Sequence, residues 1–382
     1  MSIIGAGVVG LGVGWRLVQA GCAVDLFDAG TAGRGASWAA AGMLAAGVET
    51  EPGEEGLLAL TRASQAMWPG FAEELRAVTG IDPDLREEGT LVLALTRDDL
   101  ARLRANVAFQ ERLGIELRWL GARELREREP FLRPGIAGAV LSPHDHQVDN
   151  RALVTALVRA FTAAGGRLHE ASPVEAVVIE GGRVTGVRAA ERCLPADAVL
   201  LAAGAWSRRI QGIPPEALPP VRPIKGQMLA LRMDPAAPLL RHVVWAPKVY
   251  LVPRRNGRLI VGATVEERGF DATLTAGGVL ALLESAWRAL PAIEELPIEE
   301  MWVGFRPGSP DDAPIIGPTP VAGLTVATGH HRNGILLAPI TIEATARLVL
   351  TGERPPEIRP FGLERFARHG SRAPAMSEEA SA

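Results

Sequence analysis

Ser2-Ile3-Ile4-Gly5-Ala6-Gly7-Val8-Val9-Gly10 is the stretch that decides how the chain begins to fold. Three small or apolar residues run into a G-x-G-x-x-G spacing, and an apolar helical segment follows to Ala20, with Gly21 as its stop. Glycine at these places lets the chain turn, lets backbone N–H groups approach a pyrophosphate and lets helix pack on strand. A second strand, Ala23 to Phe27, ends in Asp28, an acid at the distance that suits ribose hydroxyls. The spacing alone also occurs in glycine-rich turns of unrelated α/β domains. Strand, loop, helix, strand and acid in this order predict a dinucleotide site over Gly5, Ala6, Gly7, Val8, Val9, Gly10, Asp28 and Ala29, with a first strand that is unusually short.

A nicotinamide-binding chain would continue into another βα unit after Asp28. Here the run from Gly30 to Met43 is instead rich in tiny side chains, Gly35-Ala36-Ser37-Trp38-Ala39-Ala40-Ala41-Gly42-Met43 among them. Such a run lets backbone lie against a large flat ligand, which favours a flavin over Ser37, Ala40, Ala41, Gly42 and Met43; an Ala-rich helix start behind a loose loop is the plainer alternative.

A length of 382 residues exceeds what one core usually serves, so two lobes are expected. A net charge of -4 and a pI near 6.1 offer no basic field for nucleic acid. Two cysteines, Cys22 and Cys193, are too few for a disulfide framework and point to a reducing cytoplasm. The sequence has no run of ligands at metal spacing, and neither a signal peptide nor a membrane span is expected, since no basic region with a following apolar stretch and cleavage site, and no run of about 18 uncharged apolar residues, is found. Further on, Val174 to Ile179 and Val184 to Ala189 flank Glu180-Gly181-Gly182 as a hairpin, and Ala198 to Ala202 reads as a buried strand. Strands at Gln227–Leu231, Val249–Val252 and Leu259–Ala263, and a helix near Ala276–Leu290, suggest a second lobe whose sheet Leu91–Leu95 could join.

Together with the amino-terminal motif, ADAVLLAAGAWS (Ala196 to Ser207), MWVGFRPGSPDDAPIIG (Met301 to Gly317) and GHHRNGILLAP (Gly329 to Pro339) resemble the D-amino-acid-oxidase superfamily of FAD enzymes. Within it the resemblance is nearest to the glycine oxidases of thiamine biosynthesis, and it covers nearly the whole chain. It implies an α/β fold: a Rossmann-like FAD-binding domain over 1–85, 145–220 and 305–365, and a discontinuous α+β substrate domain with a mainly antiparallel sheet over 86–144 and 221–304. Residues 366–382 are expected to be a disordered tail.

The resemblance also assigns roles. Val174 would meet the adenine end of FAD, and Ala203, Gly204 and Trp206 would lie against the cofactor. Tyr250, the only tyrosine, would hydrogen-bond a substrate carboxylate; read by itself it is an aromatic packed on a half-buried strand, with Lys248 and Val252 on its face. Arg306 would grip that carboxylate with its fork, where an unassisted reading sends it to solvent or to Asp311 or Asp312 and ends its strand at Pro307. In the last motif, Leu324 to Thr328 is a strand, Gly329 to Gly334 a turn, and the helix behind it runs to Leu350, with its amino end toward the pyrimidine side of the flavin. His330, His331, Arg332, Asn333, Gly334 and Ile335 would line the cofactor, and Arg332 would also reach toward the carboxylate. Adjacent imidazoles in a turn point apart, so no metal is expected there.

The implied chemistry is hydride transfer from the alpha carbon of glycine, sarcosine or a small D-amino acid to FAD. It gives imine or 2-oxo acid, ammonia and, with dioxygen, hydrogen peroxide, and needs no side-chain base. Sarcosine oxidases often tether flavin through a late cysteine or an early histidine; here the last cysteine is Cys193 and the first histidine His144, so FAD is expected to be non-covalent. The implied assembly is a homo-oligomer, dimer or tetramer. A dehydrogenase passing electrons to a quinone, and an FAD-binding subunit without turnover, stay open as alternatives.

Overall fold

The structure, a computed structural model, describes residues 1–369. A six-stranded sheet is ordered Ile315–Pro318, Leu324–Thr328, Val199–Leu201, Ser2–Ile4, Asp25–Phe27 and Arg167–His169. All its pairings are parallel except the one between the first two strands. Parallel strands need crossovers, and the helices Val8–Gln19, Asn150–Ala163 and Ala338–Thr351 pack together over one face with Glu55–Thr79. That face buries Trp15, Trp68 and Phe161 almost completely, each contributing about 1.5–3 kcal/mol of hydrophobic stabilisation. On the other face lies the antiparallel ribbon Val174–Glu180, Arg183–Ala189 and Arg192–Pro195, turning through Gly181 and Gly182.

The second sheet has eight strands, ordered Ile298–Gly308, Arg222–Arg232, Arg258–Gly262, Val249–Pro253, Val243–Ala246, Thr90–Ala94, Gly138–Ser142 and Arg118–Leu120. Only the pairing of Val243–Ala246 with Thr90–Ala94 is parallel. Helix Ala276–Ala289 packs on it and buries Leu282, Ala286 and Ala289. Strands of this sheet come from the chain on both sides of residues 145–220, so neither sheet is one continuous stretch.

Several expectations need correction. Pro307 does not end its strand, which runs on to Gly308. That strand is the outer edge of the eight-stranded sheet, where a missing N–H on the open side breaks no ladder. It therefore also crosses the expected domain limit at 304/305. Lys248 is not a strand residue: it sits before Val249 at φ 68°, in the left-handed region, at the turn joining Val243–Ala246 to Val249–Pro253. The last helix starts only at Ala338, with Pro339 in its first turn, after a 3-10 turn over His331–Asn333. Of the expected tail, 366–369 belong to the short segment Leu363–His369, and 370–382 lie outside the described residues.

Candidate active site

One cavity of about 980 Å³ opens between the two sheets. Its floor is the carboxyl edge of the six-stranded sheet. Gly5, in the left-handed region at φ 102°, lies so close to the chain beyond Leu201 that a Cβ there would come 2.5 Å from the Ala202 carbonyl oxygen. Ser37 accepts a hydrogen bond from the Val8 N–H at 3.0 Å, so the small-residue run is tied to the first helix's amino end. Asp28 receives the Ala6 N–H and the Gly30 N–H, each at 2.9 Å, which draws both glycine-rich loops around one carboxylate. Behind Ala41 and Gly42, the buried Arg254 donates to the Ala41 carbonyl at 2.6 Å and to that of Val148 at 2.6 Å.

The opposite wall comes from the eight-stranded sheet, where two glycines clear space for two large polar side chains. The Tyr250 ring lies across Gly262, and the Arg306 guanidinium across Gly226: a Cβ on either glycine would come about 2.6 Å from the Tyr250 hydroxyl or the Arg306 Nη1. Arg306 Nη1 donates to the Thr264 carbonyl at 3.1 Å. Burial pushes the Tyr250 phenol up, against the pull of the adjacent Arg306, so the hydroxyl stays protonated and can donate.

Every residue expected at the site lines this cavity except Ala6, Gly10 and Asn333. Ala6 is wholly buried, Gly10 packs under Gly5, and Asn333 is buried in its 3-10 turn. The two imidazoles face different partners. His330 Nε2 is 3.1 Å from Thr341 Oγ1, and His331 Nδ1 is 3.4 Å from Asp312. Burial holds each ring's pKa down at about 4, neutral at physiological pH. The amino end of helix Ala338–Thr351 does not reach the cavity; the turn before it does, through Gly334 and Ile335. Arg332 lines the wall, but its guanidinium turns to two acids instead of standing free for a carboxylate. Nε donates to Glu49 at 2.9 Å, and Nη2 to Glu54 at 2.6 Å. Glu49 also lines the cavity and escaped the sequence reading, because an acid in the run Glu49-Thr50-Glu51-Pro52-Gly53-Glu54 looks solvated.

The family of FAD dependent oxidoreductases that includes the D-amino-acid oxidases matches residues 2–348. The chain belongs to this family. Glycine oxidase of Geobacillus kaustophilus is 38% identical to this FAD-dependent oxidoreductase over 369 residues, 96% of each chain. The crystal structure of that organism's glycine oxidase matches with a TM-score of 0.87 over 95% of this chain and 97% of that one. A protein of Trichormus variabilis named Bifunctional protein ThiO/ThiG is 35% identical over 99% of this chain, which spans 57% of that longer protein. Iminodiacetate oxidase of Chelativorans sp. BNC1 is 28% identical, with a TM-score of 0.85 and coverage of 94% and 98%.

The cavity suits the family's FAD. Its floor approaches a ligand through bare backbone at Gly5, Gly7 and Gly42, and the first helix leaves N–H groups of its opening turn beside Gly7 for a pyrophosphate. Asp28 lines the cavity directly after the second strand, and an acid at that place would meet the ribose of such a dinucleotide. Among the described residues no group of three or more His, Cys, Asp or Glu could hold a metal ion, and no helix is long and apolar enough to cross a membrane.

Proposed function

We propose that this chain oxidises glycine and other small amines and amino acids, sarcosine and small D-amino acids included, with FAD. The products are an imine that is released or hydrolysed to 2-oxo acid and ammonia, and hydrogen peroxide from dioxygen. The observation that carries the reading is the pairing of Arg306 and Tyr250 over the bare Gly226 and Gly262, facing the glycine-rich floor across one cavity. A fork and a phenol side by side match a carboxylate: two charge-assisted hydrogen bonds from the N–H groups that Thr264 does not take, and one from the hydroxyl. The glycine oxidase of Geobacillus kaustophilus, 38% identical over nearly the whole chain, supports the same choice of substrate.

FAD supplies the electron sink, and the chain's residues supply the placement. Gly5, Gly7, Val8 and Val9 would hold the pyrophosphate, Asp28 and Ala29 the ribose, and Val174 the adenine end. Ser37 and Ala40 to Met43, with Ala203, Gly204, Trp206 and the turn His330 to Ile335, would enclose the ring system. Held by its carboxylate, the substrate presents its alpha carbon to that ring at a fixed distance, which converts a bimolecular encounter into a positioned one. FAD is non-covalent in this reading, the enzyme is a cytoplasmic homo-oligomer, and its product is the glycine imine used for the thiamine thiazole ring. Oxygen uptake and peroxide yield from purified protein with glycine, sarcosine and D-alanine test it. Equimolar peroxide is expected; turnover only with an artificial acceptor would reassign the enzyme as a dehydrogenase.

A further inference from the structure

Arg332 is held by two acids through one edge of its guanidinium. Its Nε donates to Glu49 Oε2 at 2.9 Å, and its Nη2 to the Glu49 carbonyl at 2.9 Å and to Glu54 at 2.6 Å. Two carboxyl groups share one guanidinium, so ionisation of Glu49 is not fully offset by Arg332, and Glu49 is the acid of the pair that lines the cavity. Its side chain is only 9% exposed, and its Oε1 makes no hydrogen bond among the described residues. The cavity thus carries opposite charges on different walls, Arg306 on the sheet and Glu49 beside the 3-10 turn, as the two ends of a zwitterion require.

We propose that Glu49 receives the ammonium of the amino-acid substrate through Oε1 and takes its proton, which makes it a catalytic residue of the reaction proposed above. One ammonium N–H bond breaks, its electron pair stays on nitrogen, and the proton ends on the Glu49 carboxylate; the amine then has the lone pair that oxidation at carbon demands. The electrostatics agree. Burial, with Asp145 and Glu54 adding to it against Arg332, raises the Glu49 carboxyl to about 7, a value suited to accepting a proton at neutral pH. The Tyr250 phenol also senses Glu49: burial pushes it up, Arg306 pulls against this, and the Glu49 charge adds to the rise.

The test compares holoenzyme with Glu49→Gln, whose amide oxygen can still accept from Arg332. In the wild type, kcat/KM for glycine should rise with pH through about 7, because the base must be ionised. Glu49→Gln should lose that limb and about tenfold or more in kcat/KM at pH 8, with wild-type FAD content. Competitive inhibition by glycolate, a carboxylate with no ammonium, should change by less than about twofold, since its grip is on Arg306 and Tyr250. Glu49→Asp should restore part of the limb, and it carries the test should the Gln variant not fold: an Asp profile identical to wild type overturns the proposal. So do glycine turnover by Glu49→Gln with the limb intact, and glycolate inhibition lost in step with glycine turnover. A wild type inert toward glycine, sarcosine and small D-amino acids overturns the substrate reading itself, and Glu49's role with it; turnover with an unchanged limb overturns Glu49 alone.

Discussion

Arg306 depends on what its neighbours lack. Replacing it by Lys keeps the charge and removes the paired geometry, so kcat/KM for glycine should fall at least about tenfold, or about 1.4 kcal/mol, with FAD content unchanged. Loss of flavin with glycine turnover per flavin intact would instead make Arg306 a cofactor or folding residue. Tyr250→Phe removes one hydrogen bond to the ionised carboxylate and should cost about 1.5–3 kcal/mol in the same measurement. On the opposite wall, Asp28→Ala should weaken FAD binding by about 1–3 kcal/mol, measured by flavin fluorescence on reconstitution of apoprotein. Unchanged affinity would remove Asp28 from the ribose. Asp28 and Arg306 could be singled out because each belongs to a short sequence motif, whereas Tyr250 was assigned through the resemblance. Glu49 was not legible: its burial depends on Arg332, 283 residues away, and neither residue shows the other in a local window. The same distance hid the capture of Arg332 by acids.

Among the elements, the turn at Gly329 to Gly334 brings a pH dependence of its own. His330 and His331 each have a folded pKa of about 4, below the ordinary histidine value of 6.5. Between those values the unfolded chain binds protons that the folded chain refuses, so stability falls as pH drops from about 6.5 to 4, by up to about 1.4 kcal/mol per pH unit for each ring. Glu49 acts in the opposite sense, because its raised carboxyl favours the folded state on protonation, so the difference between variants isolates the rings. His330→Gln should flatten the fall in thermal midpoint over this window, and an unchanged slope would refute the assignment. Most strands of both sheets were legible from alternation and bounding glycines. The misreadings came where tertiary position outweighs local preference: Pro307 stays in a strand because it is at an edge, and Lys248 adopts a left-handed turn that a lysine does not advertise.

For the whole molecule, a ligand that fills a cavity walled by both sheets should stabilise them together. Apoprotein given FAD at a hundred times its dissociation constant should gain about 2.7 kcal/mol and melt in one transition at a higher midpoint. Two transitions, with only one moving, would show that the lobes fold independently. The two-lobe α/β architecture was readable from length and motif order, and the early strand at Leu91–Leu95 already pointed to lobes assembled from separated pieces of chain, whereas the residue limits of those pieces came from the resemblance.

Six residues, 309–314, separate the strand that carries Arg306 from Ile315–Pro318 in the other sheet. They are cinched by the Ser309 hydroxyl to the Ala313 carbonyl at 2.7 Å and by Arg365 to Asp311 at 2.7 Å, while Trp302 Nε1 meets the Ala39 carbonyl at 3.0 Å and Arg254 holds Ala41 from the far side. Ties of this kind hold the two sheets at a set spacing and oppose clamshell closure. Substrate must enter a jaw that is already set, so discrimination among amino acids falls to side-chain clearance at the mouth, and widening the range of substrates is a matter of trimming that rim while the frame stays untouched.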